Sequence, residues 1–247
     1  MTSPDMGGAL AKAPGRLSQA ITRLFMRAAT VAAINDVADR FRLVTLQDDS
    51  LARVAWTPGQ KVQITMGSAF VARSYTPIDW DAQRGRGRIL GYAHGDGPGS
   101  AWLLGLRVGD GCNLFGPRRS LDVAGLRGPL AVFGDETSIG LGYALAQADQ
   151  TRSVACYFEV SDEVSTGQAV TALGIGRVRL FARRSDETQI ARMEAELPGL
   201  AEAGASFVLT GKAGTVQRLR QALKRHQVAA NRIAAKAYWA PGKTGLD

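Results

Sequence analysis

The sequence has few of the residues that build metal sites and disulfide networks. It contains two cysteines and two histidines among 247 residues. Cys112 and Cys156 show no metal-ligand spacing, and only His94 and His226 are available to complete such a site. We therefore expect two reduced structural thiols, no protein metal site and a cytoplasmic location.

Long apolar segments and dense basic runs are also missing. No window approaches the ~20 apolar residues that a transmembrane helix needs. The net charge of +8 favours anionic partners, but the positive residues are scattered, with pairs such as Arg118-Arg119 and Arg183-Arg184 as the largest groups. Because no basic run is interleaved with aromatic residues, nucleic-acid binding is disfavoured, and a small anionic molecule is the expected partner.

The first 29 residues are typical of an amphipathic helical segment rather than a secretion signal. Leu17, Ile21 and Leu24 recur at helical spacing and are interrupted by Arg16 and Arg23. We expect a basic helix packed on the folded protein, with adhesion to a membrane surface as an alternative.

Residues 30–124 form short alternating segments separated by turn residues. Six strands at this spacing predict a six-stranded antiparallel β-barrel. One short helix is expected at 101–104, after the turn at Pro98-Gly99-Ser100. The predicted strands are 30–35, 40–47, 61–66, 69–77, 87–92 and 111–115.

From residue 130 to 247 the pattern changes to buried strands that alternate with helices. Apolar strands are predicted at 130–133, 153–160, 177–181 and 206–209, with helices around 139–149, 187–197 and 215–226. This alternation indicates a doubly wound parallel-sheet α/β domain. Gly125 and the Gly128-Pro129 pair mark the linker between the two domains.

The stretch Arg73-Ser74-Tyr75-Thr76 ends the fourth predicted strand. Residues two apart in a strand share a face, so Arg73 and Tyr75 point together, while Ser74 and Thr76 take the other side. A guanidinium offers forked donors to a phosphate, a phenol offers a stacking face, and a hydroxyl can bond a ring heteroatom. The residues alone are compatible with a site for a flat, phosphate-bearing ligand or with an ordinary barrel strand.

Two other stretches lie where strands give way to helices. In Gly97-Pro98-Gly99-Ser100, the glycines allow close backbone approach, and the N–H groups of the following helix can bind a pyrophosphate. A plain turn with Ser100 as the helix N-cap is the alternative. Gly134-Asp135-Glu136-Thr137 follows a strand at the carboxyl edge of the predicted sheet, where doubly wound sheets bind ligands. Helix capping by Asp135 or Thr137 is the alternative there.

Together with the domain order, these stretches carry a resemblance to a known family. The resemblance rests on residues 73–76, on His94-Gly95-Asp96-Gly97-Pro98-Gly99-Ser100-Ala101-Trp102, on residues 134–137 and on Ala237-Tyr238-Trp239. The chain resembles the ferredoxin-NADP reductase superfamily and, within it, the siderophore-interacting, FAD-containing ferric-siderophore reductases. The resemblance implies FAD on the barrel and NADPH or NADH on the α/β domain. It also implies hydride transfer to flavin N5, then single-electron transfer to a chelated Fe(III), and release of Fe(II) for iron acquisition.

The resemblance also implies roles for individual residues. Arg73 would pair with the flavin phosphate, Tyr75 would lie along the isoalloxazine, and Thr76 would lie near N5. His94 would lie beside FAD and Trp239 would shield the flavin, although each is also compatible with a structural role. Thr76 and Trp239 are thus the candidate catalytic residues. The candidate FAD-binding residues are Arg73, Ser74, Tyr75, Thr76, His94, Gly97, Pro98, Gly99, Ser100 and Trp239.

On the nicotinamide side, the resemblance implies that Asp135, Glu136 and Thr137 contact the nicotinamide and its ribose. The basic pair Arg183-Arg184, with Lys212 and Arg218, would suit a 2′-phosphate and favour NADPH. Glu159 at a strand end would instead suit an unphosphorylated ribose, so the preference stays open. Lys212 is a departure, because family members commonly have Gly-Glu at this place.

The identity of the electron acceptor is the least specified part of the sequence. Many relatives continue after Thr76 with another basic residue, whereas Pro77-Ile78-Asp79-Trp80-Asp81 supplies two acids and an indole. Arg118, Arg119 and Lys243 are rim candidates for an anionic siderophore. The alternatives are a flavin reductase, a ferredoxin- or quinone-type oxidoreductase on the same fold, or a non-catalytic binding protein that has lost flavin. A monomer is expected.

Overall fold

The computed structural model describes residues 26–68 and 71–243. Strand β1 spans Arg27–Ala38, so most of the predicted N-terminal helical segment lies outside the described residues. Its last three residues, 27–29, were wrongly assigned to that helix. They are strand because Arg27 to Thr30 pair with Leu114 to Gly111 across the first sheet.

The first domain is the expected antiparallel barrel, but its sheet has seven strands rather than six. The sheet order is β4-β3-β7-β1-β2-β6-β5. Only Thr76 separates β4, which pairs with β3, from β5, which pairs with β6, so one residue joins the two edges and the sheet closes on itself. The strands after β1 are β2 Phe41–Gln47, β3 Lys61–Ser68, β4 Val71–Tyr75, β5 Pro77–Asp81, β6 Arg86–Tyr92 and β7 Gly111–Arg118.

Helix α1 spans Pro98–Gly105 and contacts two strands of the barrel, β6 and β2. Leu103 is buried against Gly91, where a Cβ atom would come within 2.5 Å of a Leu103 methyl carbon. Arg42 Nη1 donates to the carbonyls of Leu103 and Leu104 at 2.6 and 3.1 Å. A cation at the carboxyl end of a helix satisfies its last carbonyls and fixes the direction in which the opposite end points.

The second domain is the expected doubly wound α/β unit. Its five strands are all parallel, in the order β10-β9-β8-β11-β12. The order reverses between β8 and β11, which places the topological switch point at their carboxyl ends. The elements are β8 Leu130–Asp135, α2 Ile139–Ala148, β9 Val154–Val160, α3 Glu163–Leu173, β10 Val178–Ala182, α4 Thr188–Glu194, α5 Leu197–Glu202, β11 Ser206–Lys212, α6 Ala213–Arg225 and β12 Ile233–Trp239.

Two helices differ from the sequence prediction. The predicted helix 187–197 is two helices, α4 and α5, with Pro198 in the first turn of α5, where a missing N–H has no helical acceptor to lose. Helix α3 was not predicted, because its Ser, Thr and Gly residues are weak helix formers. Its ends are well defined: Asp162 caps the first turn, and Gly174 in the left-handed conformation ends the helix.

The two domains share a continuous apolar core. Phe41 of the barrel belongs to the same buried cluster as Ile139 and Val160 of the α/β domain. Helix α2 lies against β5 at Gly140, where a Cβ atom would be 2.8 Å from Ile78 Cγ2. This packing places the side of the barrel that contains β4 and β5 next to the carboxyl ends of the parallel strands.

Both cysteines are buried and unpaired, which confirms the predicted structural thiols. Burial raises the pKa of Cys112 to about 11 and that of Cys156 to about 12. Within residues 26–68 and 71–243, no helix has the length and apolarity needed to cross a membrane.

Candidate active site between the barrel and the parallel sheet

Strand β4 and the start of α1 form one wall, the barrel side, of the candidate site. We call this site the cleft, and the ends of β8, β11 and β12 form its other side. Arg73 and Tyr75 point to the same side, as predicted, and both lie against Gly99. A Cβ atom on Gly99 would be 3.3 Å from Arg73 Cγ and 3.7 Å from the Tyr75 hydroxyl. Ser74 is exposed on the other side of the strand. Glycine at position 99 therefore lets the helix start approach these two side chains closely.

This wall has the character of an anion site. Arg73 is half-buried, and its Nη1 atom donates to the carbonyl of Ala72 at 2.8 Å. Among the residues that the structure describes, no carboxylate lies within ion-pair distance of it. Helix α1 begins at Pro98, so Gly99 and Ser100 lie in its first turn. Their N–H groups therefore have no acceptor within the helix. A guanidinium beside these amides matches the phosphates of a dinucleotide.

Ser100 is not the N-cap that a plain turn would need. Gly97 holds that position, and no side chain caps the helix. The Ser100 hydroxyl instead donates to the carbonyl of His94 at 2.8 Å and ties the loop of residues 94–97 to the helix.

A row of aromatic rings crosses from the barrel to the last strand of the α/β domain. Ring centroids are 4.7 Å apart for Phe41 and Tyr92, 6.0 Å for Tyr92 and His94, and 6.2 Å for His94 and Trp239. His94 itself is exposed. Trp239 thus reaches the barrel side of the cleft, next to the loop that precedes α1.

The residue before Trp239 makes a second contact between the domains. Thr76 Oγ1 donates to the Tyr238 hydroxyl at 3.4 Å. Burial raises the pKa of Tyr238 to about 12, so this group remains a neutral phenol at physiological pH. The sequence predicts a role for Trp239 and none for its neighbour Tyr238. Alternation along β12 could have indicated that the two side chains reach different partners.

Asp135, at the carboxyl end of β8, is enclosed by protein donors. Its side chain is 0% exposed. Oδ1 accepts from the Thr137 amide at 2.9 Å and its hydroxyl at 2.5 Å, and Oδ2 accepts from the Lys212 amide at 2.8 Å and Trp239 Nε1 at 2.7 Å. Burial raises the pKa of Asp135 to about 6, and the hydrogen bonds oppose that rise. Asp135 also caps the 3₁₀ turn Glu136–Ser138, the alternative that the sequence left open.

Glu136 and Glu159 share one cation. Glu136 accepts from the Ser161 amide at 2.6 Å and from Arg183 Nη2 at 3.0 Å, and Arg183 Nε lies 3.8 Å from the carboxylate of Glu159. Both carboxylates are buried, at 4% and 0% exposed. Two buried carboxylates need a counter-charge. In this arrangement neither Arg183 nor Glu159 is offered to a dinucleotide, in contrast to the roles expected for them.

Three further basic residues lie near this edge of the sheet. Lys212 Nζ is 3.1 Å from Glu187, and Arg218 is 2.9 Å from Glu194, so both have acidic partners. Arg184, beyond the end of β10, is exposed.

The acidic stretch after Thr76 builds a hairpin with β6. Asp79 pairs with Arg88 at 2.7 Å. The ring of Trp80 covers Gly87, and Asp81 accepts from the amides of residues 83 and 84 at 3.0 Å. The two acids therefore have partners within the hairpin.

Solved structures share this architecture. They include the siderophore-interacting protein SipS from Aeromonas hydrophila, at 23% identity and a TM-score of 0.74, covering 89% of this chain and 93% of that one. The siderophore-interacting protein from Acinetobacter baumannii has 16% identity and a TM-score of 0.71, covering 90% and 93%. The ferredoxin reductase in carbazole 1,9a-dioxygenase has 18% identity and a TM-score of 0.71, covering 87% and 69%. At these identities the likeness establishes the fold. No curated protein matches the sequence significantly.

Two family models match the sequence. A siderophore-interacting FAD-binding domain matches residues 12–121, and a siderophore-interacting protein model matches residues 129–242. The barrel, the parallel sheet and the FAD-binding match define a two-domain FAD-binding protein. Within that class, the chain belongs to the siderophore-interacting protein family.

Proposed function

We propose that this protein is an NAD(P)H-dependent reductase that passes electrons through FAD to a ferric siderophore and releases Fe(II) for iron acquisition. The observation that carries the proposal is the meeting of the two domains at one cleft. Thr76 and His94 of the barrel lie against Tyr238 and Trp239 of the parallel-sheet domain, and Thr76 directly follows the strand that carries Arg73.

The barrel side of the cleft fits FAD. Arg73 and the amides of Gly99 and Ser100 would hold its phosphates, and Tyr75 would offer its ring to the isoalloxazine. Thr76 would direct its hydroxyl to the flavin ring. Bound FAD supplies the conversion of a two-electron donor into single-electron transfer. The residues of this wall bind and orient, and none is required to act as an acid or base.

The parallel-sheet side fits a nicotinamide nucleotide at the switch point between β8 and β11. The turn 135–137 and the amide of Lys212 would define its mouth, and Trp239 would shield the flavin and exclude water. Because Arg183 is occupied by two buried carboxylates, Arg184 is the cation that we propose for a 2′-phosphate. This favours NADPH over NADH.

The acceptor is proposed from chemistry and family membership. A ferric siderophore is a small anionic chelate, and the net charge of +8 would draw it to the protein. Arg118, Arg119 and Lys243 are the rim residues that we propose for it. Chelate oxygens hold Fe(III) more tightly than Fe(II), so one-electron reduction releases the metal. We propose a cytoplasmic monomer, with the buried, reduced Cys112 and Cys156 as support for that compartment.

The test of cofactor use is a reductive titration of the purified protein under argon. We expect a yellow protein whose absorbance near ~450 nm is bleached by NADPH, as bound flavin requires. A colourless protein that FAD does not reconstitute would leave only the non-catalytic binding protein. Bleaching by NADH alone would contradict the proposed role of Arg184.

A further inference from the structure

We infer that Asp135 is a positioning residue whose carboxylate fixes the indole of Trp239 against the flavin side of the cleft. The inference rests on the proposed function and deepens it, because it names the group that sets the geometry between the two domains. The Asp135 side chain is 0% exposed, so in this inference it acts through Trp239.

The first support is the number of separate elements that meet at one buried side chain. Oδ2 accepts from the amide of Lys212 at the end of β11 and from the indole of Trp239 at the end of β12. Oδ1 accepts both bonds from Thr137, in the turn after β8. Three strand ends at the switch point are therefore joined through one carboxylate.

The second support is the backbone next to it. Pairing between β11 and β12 runs from Gly211 with Ala237 directly to Lys212 with Trp239, so Tyr238 is bypassed. Such a bulge re-aims the side chains that follow it, and bulges are common beside active sites. Here it allows Tyr238 to reach Thr76 while Trp239 reaches Asp135.

The third support is the shape of the chain at Gly211. This residue has φ +94°, and a Cβ atom on it would lie 2.5 Å from Asp135 Oδ2. Only glycine allows the carboxylate to approach this closely and still accept from the next amide. The loop after β11 is thus built around Asp135.

The chemistry of the site requires a carboxylate rather than an amide. Each oxygen of Asp135 accepts from two donors, whereas an asparagine in the same place has one oxygen and one NH₂ group. In an Asp135→Asn variant the amide nitrogen would face two donors, either those of Thr137 or those of Lys212 and Trp239. A bond that fixes the indole is lost when the NH₂ group faces Trp239.

Hydrogen exchange at the four tryptophan indoles tests the inference in the purified protein, with or without added FAD. In ¹⁵N-labelled protein, Trp239→Phe assigns the Trp239 indole signal. We expect Asp135→Asn to speed exchange at this indole about fivefold, since a net hydrogen bond contributes about 1 kcal/mol. Trp80, whose indole donates to the Leu51 carbonyl at 3.4 Å, should not change.

A matched control separates the hydrogen bond to Trp239 from the other hydrogen bonds of the Asp135 carboxylate. Thr137→Val removes a hydroxyl donor from Oδ1 and leaves both bonds to Oδ2, so Trp239 exchange should stay at the wild-type rate. Gly211→Ala keeps the carboxylate and displaces Oδ2, so it should reproduce the faster exchange and serves if Asp135→Asn does not fold. Unchanged Trp239 exchange in a folded Gly211→Ala variant would overturn the inference, because that variant displaces Oδ2 itself, whichever way the amide of Asp135→Asn faces.

The functional arm is the rate of flavin reduction by NADPH in single-turnover mixing. Asp135→Asn and Trp239→Phe should each slow it on the order of tenfold, because small misplacements are costly to transfer. The double variant should be no slower than Trp239→Phe alone, since Asp135 acts through that indole. A double variant whose loss in rate is the product of the two single losses would overturn the inference. A protein without flavin would overturn the proposed function, and the exchange result alone would then decide on Asp135.

Discussion

Gly99 at the start of helix α1 lies directly against Arg73 of strand β4, with room for a hydrogen atom and little more. A methyl group on Gly99 would come within 3.3 Å of Arg73 Cγ, closer than ordinary van der Waals contact. This relationship ties the two halves of the proposed phosphate site together.

Gly99→Ala should therefore weaken FAD binding. Overpacking typically costs 1–3 kcal/mol, so we expect the Kd for FAD to rise about tenfold. The measurement is fluorescence titration of the apoprotein with FAD. Gly105→Ala, on the same helix with open space around it, is the matched control. Equal affinity of the two variants would show that FAD phosphates do not bind between Gly99 and Arg73.

Arg73→Ala should reduce FAD retention more strongly. Losing a charge-assisted bond to phosphate costs roughly 1.5–3 kcal/mol, which predicts a rise in Kd of about tenfold or more. The flavin content after gel filtration and the Kd from titration both report it. Arg84→Ala removes an exposed arginine of the β5–β6 turn and should behave as wild type. Full retention by Arg73→Ala would remove the phosphate role of this residue.

The pKa of Asp135 predicts a pH dependence of stability. Burial raises it from 3.8 to about 6 in the folded protein. Between these values the folded state binds more protons than the unfolded state, so stability falls as pH rises through this window and is flat above it. Two pKa units correspond to about 3 kcal/mol.

Urea unfolding of the wild type and of Asp135→Asn between pH 4 and pH 7 measures this effect. The wild-type free energy of unfolding should fall relative to that of the variant as pH rises from 4 to 6. A difference that is constant with pH would show that Asp135 titrates alike in the folded and unfolded states.

Arg183 and Arg184 should have different roles despite their adjacency. Arg183→Gln leaves Glu136 and Glu159 buried without a cation, and should lower the free energy of unfolding by about 3 kcal/mol. It should not change the ratio of KM values for NADPH and NADH. Arg184→Ala should leave stability unchanged and raise the KM for NADPH about tenfold through loss of a charge-assisted bond.

Steady-state kinetics with both nucleotides and urea unfolding of both variants separate these roles. Arg177→Ala, at the opposite edge of the sheet, is the control for loss of one exposed positive charge. A selective loss of NADPH use in Arg183→Gln would contradict the structural role assigned to Arg183.

The local parts of the fold and site were predictable from the sequence, because they depend on periodicity and on neighbouring residues. Alternation in β4 predicted that Arg73 and Tyr75 share a face. Strand β5 was missed because Pro77 and two acids obscure its pattern. Its acids make local contacts, Asp79 with Arg88 and Asp81 with the turn that follows.

The parts that could not be predicted depend on contacts between distant residues. Asp135 and Trp239 are 104 positions apart, and Glu136 and Arg183 are 47 apart. No local pattern indicates that Arg183 pairs with two buried carboxylates. No local pattern indicates either that the bulge at Tyr238 directs Trp239 towards Asp135. These pairings follow from the strand order, which brings the carboxyl ends of separate strands to one edge.

The most direct test of the central claim is reoxidation of the reduced protein by a ferric siderophore under argon, with a chromogenic Fe(II) chelator present. After one equivalent of NADPH has bleached the flavin, a ferric hydroxamate or catecholate should restore the absorbance near ~450 nm and produce two Fe(II) for each flavin, as single-electron transfer from a two-electron carrier requires. If the flavin stays bleached with every ferric chelate and recovers with a quinone, free flavin or a ferredoxin, the protein is not a ferric-siderophore reductase.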